Sequence, residues 1–201
     1  MFSNTELAEM VCTRISHDLI GNIGALASTL ELIGENQNVL ESGDLSIISN
    51  ATETLKARQK LFRVAFGLDT KDVSLSELRE ICDEYLHTVG HKTTPISLEF
   101  SGVSAELSKI MCLCVMIAAE VCIKGGKINV IVNKENMLVD LQSEFKLSAQ
   151  KIDAYRKILA DEKPEENISQ YVQLIYLREL LGKDVNIKLD ATDNKMSLVI
   201  G

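Results

Sequence analysis

The stretch Cys12-Thr-Arg-Ile-Ser-His-Asp-Leu-Ile-Gly-Asn-Ile-Gly-Ala-Leu26 decides the fold of the N-terminal part of this chain. Its apolar residues recur at spacings of three and four, which is the period of an amphipathic α-helix that packs along one stripe. The stripe continues past the stretch and consists of Cys12, Ile15, Leu19, Ile23, Leu26, Leu30 and Ile33. At about 100° of rotation per residue, His17 lies roughly 160° from the centre of that stripe, so the pattern predicts an exposed histidine.

The predicted outer face of this helix carries His17 together with small and polar residues. The other members of the face are Met10, Thr13, Arg14, Gly21, Gly24 and Ser28. A glycine inside a helix costs about 0.5–1 kcal/mol relative to alanine, so two of them on one face indicate a surface that is kept low for a partner. A solvated face with an ordinary surface histidine explains the same pattern and stays open at this point.

Residues 4–67 are predicted to form a helical hairpin. One helix is expected from Thr5 to Leu32 and a second from Asp44 to Phe66, joined by the polar loop from Gly34 to Gly43. The second helix has its own apolar stripe, made of Ile48, Ala51, Leu55, Phe62 and Phe66. Two helices alone cannot bury both stripes, so we expect two copies of the chain to pair into a four-helix bundle and form a homodimer.

A basic stripe on the second helix is predicted to lie near His17. If the hairpin turns at about Val39, His17 comes beside the Leu61 region. The stripe consists of Lys56, Lys60 and Arg63, at spacings of four and three. A basic stripe beside a histidine suits a phosphoryl group or an acidic partner, although a solvated basic face would look the same.

The segment over residues 74–201 alternates predicted helices and strands. Ser74-Leu-Ser-Glu77 is a capping box, Gly125-Gly126 is a turn into a strand, and Asp193-Asn194 lies in a hairpin turn. The predicted helices span 75–88, 105–123, 149–159 and 169–181, and the predicted strands span 96–100, 127–133, 137–141, 185–189 and 196–200. This order predicts an α/β sandwich, with one sheet covered by helices on one face, so the fold class of the whole chain is α+β.

Composition and charge exclude several classes of protein. The chain has 201 residues, of which 46% are hydrophobic and 25% charged, as in soluble globular proteins. The net charge of −8 argues against a nucleic-acid partner. The longest uncharged apolar run, Ile110 to Ala119, is far shorter than the ~20 residues that span a membrane. The N-terminal stretch lacks the apolar run of a signal peptide, because Glu6, Glu9 and Arg14 interrupt it. A cytoplasmic location is therefore expected.

The cysteines and histidines do not have the spacing of a metal site. The five cysteines are Cys12, Cys82, Cys112, Cys114 and Cys122. Cys112 and Cys114 belong to an apolar helical run and are expected to be buried as small hydrophobic side chains. His87 and His91 are four residues apart, but no third ligand stands near them in the sequence. We therefore expect no bound metal.

The order of these parts resembles a histidine kinase, in which a dimerising hairpin with a phospho-accepting histidine precedes an ATP-binding α/β domain. Two motifs are more closely similar to the ChpT-type histidine phosphotransferases of alphaproteobacteria. They are Arg14-Ile-Ser-His-Asp-Leu-Ile20 with Gly24-Ala25, and Lys56-Ala-Arg-Gln-Lys-Leu-Phe-Arg-Val-Ala-Phe-Gly67. Ala118-Ala-Glu120 through Gly125-Gly126 resembles that family more loosely. The resemblance implies a dimerisation and phosphotransfer hairpin over 1–70 and a degenerate ATPase-like domain over 74–201.

Three features that an ATP-binding kinase domain needs are missing from the second domain. Val115 to Glu120 contains no asparagine to hold magnesium, and Val139 to Phe145 contains no glycine for an adenine-binding loop. Asn167-Ile-Ser-Gln-Tyr171 stands where a glycine-rich phosphate loop is expected. We therefore expect no ATP and no other cofactor on this chain, with any magnesium held by a partner.

The resemblance implies a histidine phosphotransferase that relays a phosphoryl group between receiver-domain aspartates in a phosphorelay controlling the cell cycle. His17 would carry the group, Asp18 would orient the imidazole, and Arg14 would contact the phosphate or the partner. The residues predicted to bind the partner come from the outer face of the first helix and the basic stripe of the second: Met10, Thr13, Gly21, Gly24, Ser28, Lys56, Lys60 and Arg63. The implied donor is a CckA-like hybrid-kinase receiver, and the implied acceptors are CtrA-like and CpdR-like response regulators.

Two other functions stay open. The chain could be a non-catalytic, kinase-like dimer that sequesters response regulators without taking their phosphoryl group. It could also be a true histidine kinase, which ATP binding would reveal. Whether the protein counts as an enzyme depends on this choice, because a relay protein carries a phosphohistidine without ATP-dependent kinase activity of its own.

Overall fold

The computed structural model describes residues 2–35, 42–68, 73–90, 93–122, 124–162, 164, 167–182 and 184–201. The predicted hairpin is confirmed as α1, Asn4–Glu35, and α2, Ser42–Phe66. Ser3 and Glu6 form a reciprocal capping box at the start of α1: the Ser3 N–H donates to the Glu6 carboxylate at 2.8 Å, and the Glu6 N–H donates to Ser3 Oγ at 3.2 Å. The turn predicted at Val39 lies outside the described residues.

Four further α-helices lie in the described part of the chain, and serine side chains cap two of them. They are α3, Leu75–Val89, α4, Ser108–Val121, α5, Ala149–Leu159, and α6, Val172–Leu181. Ser74 caps α3 and Ser148 caps α5, because each side chain accepts a hydrogen bond from the N–H three residues on. One-turn 3₁₀ helices at Ala105–Leu107 and Ile168–Tyr171 replace the predicted first turns of α4 and α6.

Five strands form one mixed sheet in the order β1-β2-β3-β5-β4. They are β1, Ile96–Ser101, β2, Gly126–Val132, β3, Met137–Gln142, β4, Ile187–Ala191, and β5, Lys195–Ile200. β1 and β2 pair in parallel with α4 as the crossover between them, whereas the other three pairs are antiparallel. The α+β class is thereby confirmed, and β4 begins two residues later than predicted.

Helices cover one face of the sheet. Along β1, Ile96 and Leu98 are buried while Ser97 and Glu99 are exposed, which is the alternation of a sheet with one covered face. α3, α4 and α5 contact β1, β3 and β4 respectively. Nearly every side chain of α4 is buried, including Cys112 and Cys114, as the sequence predicted for both thiols.

One hydrophobic core joins the hairpin to the rest of the chain. Leu61, Phe62 and Val64 of α2 belong to the same buried cluster as the side chains of α3 and α4. The α1 helix contacts α6 and the 3₁₀ turn before it. The division of the chain at residues 70–74 therefore stays a prediction, while the packing of the two parts against each other is a feature of the fold. Among the described residues, no helix is both long and apolar enough to span a membrane.

Candidate functional site

The α1 helix presents His17 to solvent on an open surface. The His17 side chain is 80% exposed, which confirms the exposure predicted from the helical period. A Cβ atom added at Gly21 or Gly24 would meet no atom within 4 Å, so the surface beside the histidine has no neighbour in this chain. Thr13 and Ser28 are exposed as well. A second molecule can therefore approach the imidazole along this face.

Asp18 connects the exposed imidazole to the interior. Its Oδ1 atom lies 3.7 Å from Nδ1 of His17, and its Oδ2 atom accepts a hydrogen bond from Nε of Arg14 at 2.8 Å. The Asp18 side chain is only 13% exposed. The four-residue spacing of Arg14 and Asp18 along α1 places their side chains on the same face of the helix. Asp18 thus has one oxygen toward the histidine and the other toward a buried cation.

Arg14 faces the second part of the chain and not the open surface. One of its terminal nitrogens donates to the backbone oxygen of Gln170 at 2.7 Å, and the other donates to Oε1 of Glu120. Burial opposes the charge of the guanidinium, but the carboxylates of Glu120 and Asp18 outweigh that cost and raise the pKa of Arg14. The expectation that Arg14 lies on the open face is corrected, because buried acceptors draw its long side chain inward.

Met10 does not lie on the exposed face of α1 where it was predicted to bind a partner. Its side chain is 8% exposed and belongs to the hydrophobic core. The reason is that α1 packs against α6 and the 3₁₀ turn before it, and the bond from Arg14 to Gln170 places that packing one turn from Met10. The open face therefore begins after Met10 and consists of Thr13, His17, Gly21, Gly24 and Ser28.

Part of the predicted apolar stripe of α1 is not covered by the chain itself. Ile23 and Leu30 belong to that stripe, which was expected to need a second copy of the chain, and they are 52% and 60% exposed. Polar side chains also take part in the packing of α1 within the chain, including those of Asp18, Asn22 and Thr29. Thr29 satisfies its hydroxyl by donating to the backbone oxygen of Ala25 at 2.8 Å. An apolar face of the hairpin is therefore uncovered in the single chain.

Glu120, in the last turn of α4, is the acceptor at the centre of a buried polar network. Oε1 accepts from Arg14, while Oε2 accepts from Lys151 Nζ at 3.2 Å, Tyr155 Oη at 3.0 Å and Gln173 Nε2 at 2.8 Å. Burial and the nearby Glu120 charge raise the pKa of Tyr155, so its hydroxyl stays protonated and donates. The sequence analysis missed Lys151, Tyr155 and Gln173, which lie on two other helices and carry no local motif.

The register of the hairpin is close to the predicted one. Arg58 of α2 donates to the backbone oxygen of Asp18, which places the two residues side by side. The basic stripe, however, does not gather at the histidine. Lys60 donates to both carboxylate oxygens of Glu84 on α3 at 2.8 Å, so it faces α3. Lys56 and Arg63 are exposed on the same side of α2.

The histidine lies on a convex helix surface and lines neither of the larger cavities described. One cavity lies between α2 and α3, near Lys56 and His87, and another lies beside the end of α6, near Arg178. Among the described residues, no group of three His, Cys, Asp or Glu side chains could hold a metal ion, and His91 lies outside those residues. A neutral, exposed imidazole is a nucleophile for an electrophile that a second molecule carries to it.

Comparisons with known proteins give a related sequence and similar solved structures. No family model matches the chain. Over 65 residues it is 32% identical to the protein phosphotransferase ChpT of Brucella abortus (strain 2308), a match that covers 32% of this chain and 30% of that protein. A bacterial phosphotransferase solved at 1.7 Å has a TM-score of 0.78 at 19% identity, over 100% of this chain and 98% of the other.

A more distant structural likeness is to the histidine kinase AdeS of Acinetobacter baumannii, with a TM-score of 0.47 at 14% identity over 92% of this chain and 95% of that one. The sequence match to ChpT spans about a third of each protein, whereas the match to the solved phosphotransferase extends over the whole fold. The chain is thus similar to ChpT over 65 residues, and its fold is that of a bacterial phosphotransferase.

Proposed function

We propose that this protein is a histidine phosphotransferase of the ChpT type, which relays a phosphoryl group between receiver-domain aspartates through His17. The observation that carries the proposal is the position of His17, 80% exposed on an open helix face and paired with the mostly buried Asp18. A nucleophile on an open helix face, outside the cavities described above, cannot select a small phosphodonor by itself. It suits a phosphoryl group that is presented by another protein.

The transfer step balances with this chain supplying one nucleophile. The lone pair of an unprotonated imidazole nitrogen of His17 attacks the phosphorus of the receiver's aspartyl phosphate, and a P–N bond forms. The P–O bond to the aspartate breaks, and the aspartate leaves as a carboxylate with the bonding electron pair. The other ring nitrogen keeps its proton, so the product is a phosphoimidazolium. Magnesium on the receiver would supply most of the charge stabilisation at the phosphoryl oxygens.

The position of Asp18 supports Nε2 as the nucleophilic nitrogen. Nδ1 is the ring nitrogen 3.7 Å from Oδ1 of Asp18. A proton on Nδ1 faces this carboxylate, which leaves the lone pair on Nε2. When the ring becomes a cation on phosphorylation, the negative charge of Asp18 stabilises it. Transfer to the second receiver reverses the step and regenerates the neutral imidazole.

A homodimer through the hairpin is part of the proposal. Large apolar side chains of both helices are exposed in the single chain, among them Ile23 and Leu30 on α1 and Leu45 on α2. Exposed apolar surface of this kind on two adjacent helices is the surface that a four-helix bundle covers. A second copy of the same hairpin would cover it by symmetry.

The remaining parts of the proposal concern partners and setting. The resemblance to the ChpT type supports a CckA-like hybrid-kinase receiver as donor, CtrA-like and CpdR-like regulators as acceptors, and a role in the cell cycle inside the cytoplasm. In this proposal the receiver docks on the open face of α1 that carries Thr13, Gly21, Gly24 and Ser28.

Transfer of radiolabelled phosphate from a phosphorylated receiver domain tests the proposal. The wild-type protein should gain a label that acid removes and base does not, and His17→Ala should gain none. His87→Ala is the matched control, because it removes a histidine of α3 that lies away from α1. If both proteins bind the receiver and neither gains label, the protein is a sequestering module and not a phosphotransferase.

A further inference from the structure

We propose that Glu120 is a positioning residue for His17, acting through Arg14 and Asp18. The inference rests on the proposed function, because it assigns the second part of the chain a task in phosphoryl transfer. The path runs from Glu120 in α4, across to Arg14 in α1, one turn along α1 to Asp18, and from Asp18 to the imidazole. One end of this path is buried and the other is exposed.

The buried end of the path is fixed. The two oxygens of Glu120 accept hydrogen bonds from four side chains, which come from α1, α5 and α6. Its side chain is 9% exposed, and Gln173 is fully buried. A carboxylate with this many donors cannot rotate without breaking charge-assisted hydrogen bonds. Glu120 therefore offers Arg14 an acceptor in a single position.

Arg14 transmits that position to Asp18. The guanidinium is planar and presents its donors as a rigid fork. Two terminal nitrogens are held by Glu120 and by the Gln170 backbone oxygen, so the direction of Nε is set. Nε donates to Oδ2 of Asp18 at 2.8 Å. The orientation of the Asp18 carboxylate thus depends on contacts with the second part of the chain.

Asp18 in turn sets which ring nitrogen of His17 carries the proton. Its free oxygen, Oδ1, is 3.7 Å from Nδ1, slightly beyond hydrogen-bond distance, and catalytic contacts of this kind tighten when the partner binds and charge develops. The Nδ1-protonated tautomer is the one that this carboxylate favours. That tautomer leaves Nε2 unprotonated. Nε2 is the ring nitrogen that does not face Asp18, so its lone pair can attack a docked aspartyl phosphate.

The cost of the network argues that it does more than hold the helices together. Taking Arg14 and Glu120 out of water carries a desolvation penalty that can exceed their attraction, so buried ion pairs are weak stabilisers compared with apolar packing. The hydrophobic core already joins α2 to α3 and α4. A polar path that ends at the exposed nucleophile is explained by the orientation of that nucleophile.

The tautomer of His17 tests this inference without requiring any phosphotransfer. ¹⁵N NMR of the full chain should show Nδ1-protonated His17 in the wild type. Glu120→Gln, which keeps the shape but removes the charge, should shift His17 toward a mixture of the two tautomers. Glu99→Gln is the matched control, because Glu99 pairs with Lys127 on the sheet and has no link to α1. If the tautomer in folded Glu120→Gln is that of the wild type, the inference is wrong.

Transfer kinetics provide the second readout. Glu120→Gln should lower the maximal transfer rate roughly ten- to a hundredfold through misorientation of the imidazole, with the half-saturating receiver concentration unchanged. A rise in that concentration at an unchanged maximal rate would assign Glu120 to docking and overturn the inference. If Glu120→Gln does not fold, Arg14→Lys takes its place in the experiment. This substitution keeps the positive charge but loses the planar fork of donors, and it should lower the maximal transfer rate in the same way. A wild type with ordered Nδ1–H but no transfer would instead refute the proposed function alone.

Discussion

At the scale of single residues, the proposed function gives His17 a chemical role, and its exposed position gives it little part in the stability of the fold. Its side chain is 80% exposed and its one described polar neighbour is Asp18 at 3.7 Å. His17→Ala should therefore change the free energy of unfolding by no more than about 0.7 kcal/mol, toward higher stability, because alanine is the better helix former. Urea unfolding measures this quantity. A loss of more than about 1 kcal/mol would mean that the histidine has a structural role that the fold does not show.

The buried thiols should make the protein less stable at alkaline pH. Burial raises the pKa of Cys114 to about 12. The thiol of the unfolded chain ionises near pH ~8.5. Above that pH the unfolded state has lost a proton that the folded state retains, so stability falls by up to about 1.4 kcal/mol per pH unit for this group.

Cys114→Ala should remove the contribution of this thiol to the decrease in the free energy of unfolding with rising pH. Urea unfolding between about pH 8 and pH 11 measures the slope for both proteins. The matched control is Cys12→Ala, which replaces an exposed cysteine and should leave the slope as in the wild type. Equal slopes for the wild type and Cys114→Ala would contradict the account.

The residue scale also shows where sequence reasoning ends. The period of α1 was sufficient to predict that His17 is exposed. It could not place Arg14 or Met10, because the groups that bury them come from distant parts of the chain: Glu120 is 106 residues from Arg14. A helical pattern reports the faces of one helix and contains no information about which side a later element will cover.

At the scale of elements, the glycines on the open face of α1 lower the stability of the helix and, in the proposed function, leave room for the receiver. Gly24 lies two turns after His17, and a methyl group added there has no neighbour in the chain. Gly24→Ala should stabilise the protein by about 0.5–1 kcal/mol through helix propensity. It should also raise the half-saturating receiver concentration, about fivefold if the methyl group costs ~1 kcal/mol of docking free energy.

Gly34→Ala is the control for that prediction. Gly34 also lies in α1 and is also free of neighbours, but it is 17 residues, or about 25 Å of helix, from His17. Its substitution should leave the transfer kinetics unchanged. Unchanged transfer in Gly24→Ala as well would show that the receiver does not approach along this face.

Element ends were predicted to within about three residues, and the differences at the starts of α4 and α6 have local causes. The capping serines Ser74 and Ser148 fix the starts of α3 and α5, and both helices begin where the sequence places them. α4 and α6 begin later than predicted, because a one-turn 3₁₀ helix, with hydrogen bonds between residues three apart, precedes each of them. The sequence analysis did not draw the parallel pairing of β1 with β2 from its predicted elements, although a strand, a helix and a strand in succession are the pattern of a parallel crossover.

At the scale of the whole molecule, the uncovered apolar face predicts the oligomeric state. Ile23→Asp places a charge at an exposed apolar position of the hairpin. Light scattering coupled to size-exclusion chromatography should show a dimer for the wild type and a monomer for the variant, since a charge buried without a partner destabilises an interface. Leu180→Asp, at a similarly exposed position of α6, should stay dimeric. A monomeric wild type would contradict the four-helix bundle.

The two parts of the molecule act as one unit in this account. The hairpin supplies the nucleophile and the open face, and the second part supplies the core that α2 packs into and the buried carboxylate that holds Arg14. This explains why a domain without the sequence features of an ATP site still contacts α1 beside the histidine. Its proposed task is to orient His17.

Passage of one phosphoryl group through His17 is the central claim, and a two-step transfer measures it most directly. The protein is labelled from a phosphorylated receiver, purified, analysed by ³¹P NMR, and mixed with a second, unphosphorylated receiver. The account predicts a single phosphohistidine at Nε2 of His17 and movement of the label to the second receiver's aspartate. Label on another residue, or a stable complex in which the first receiver keeps its phosphoryl group, would contradict it.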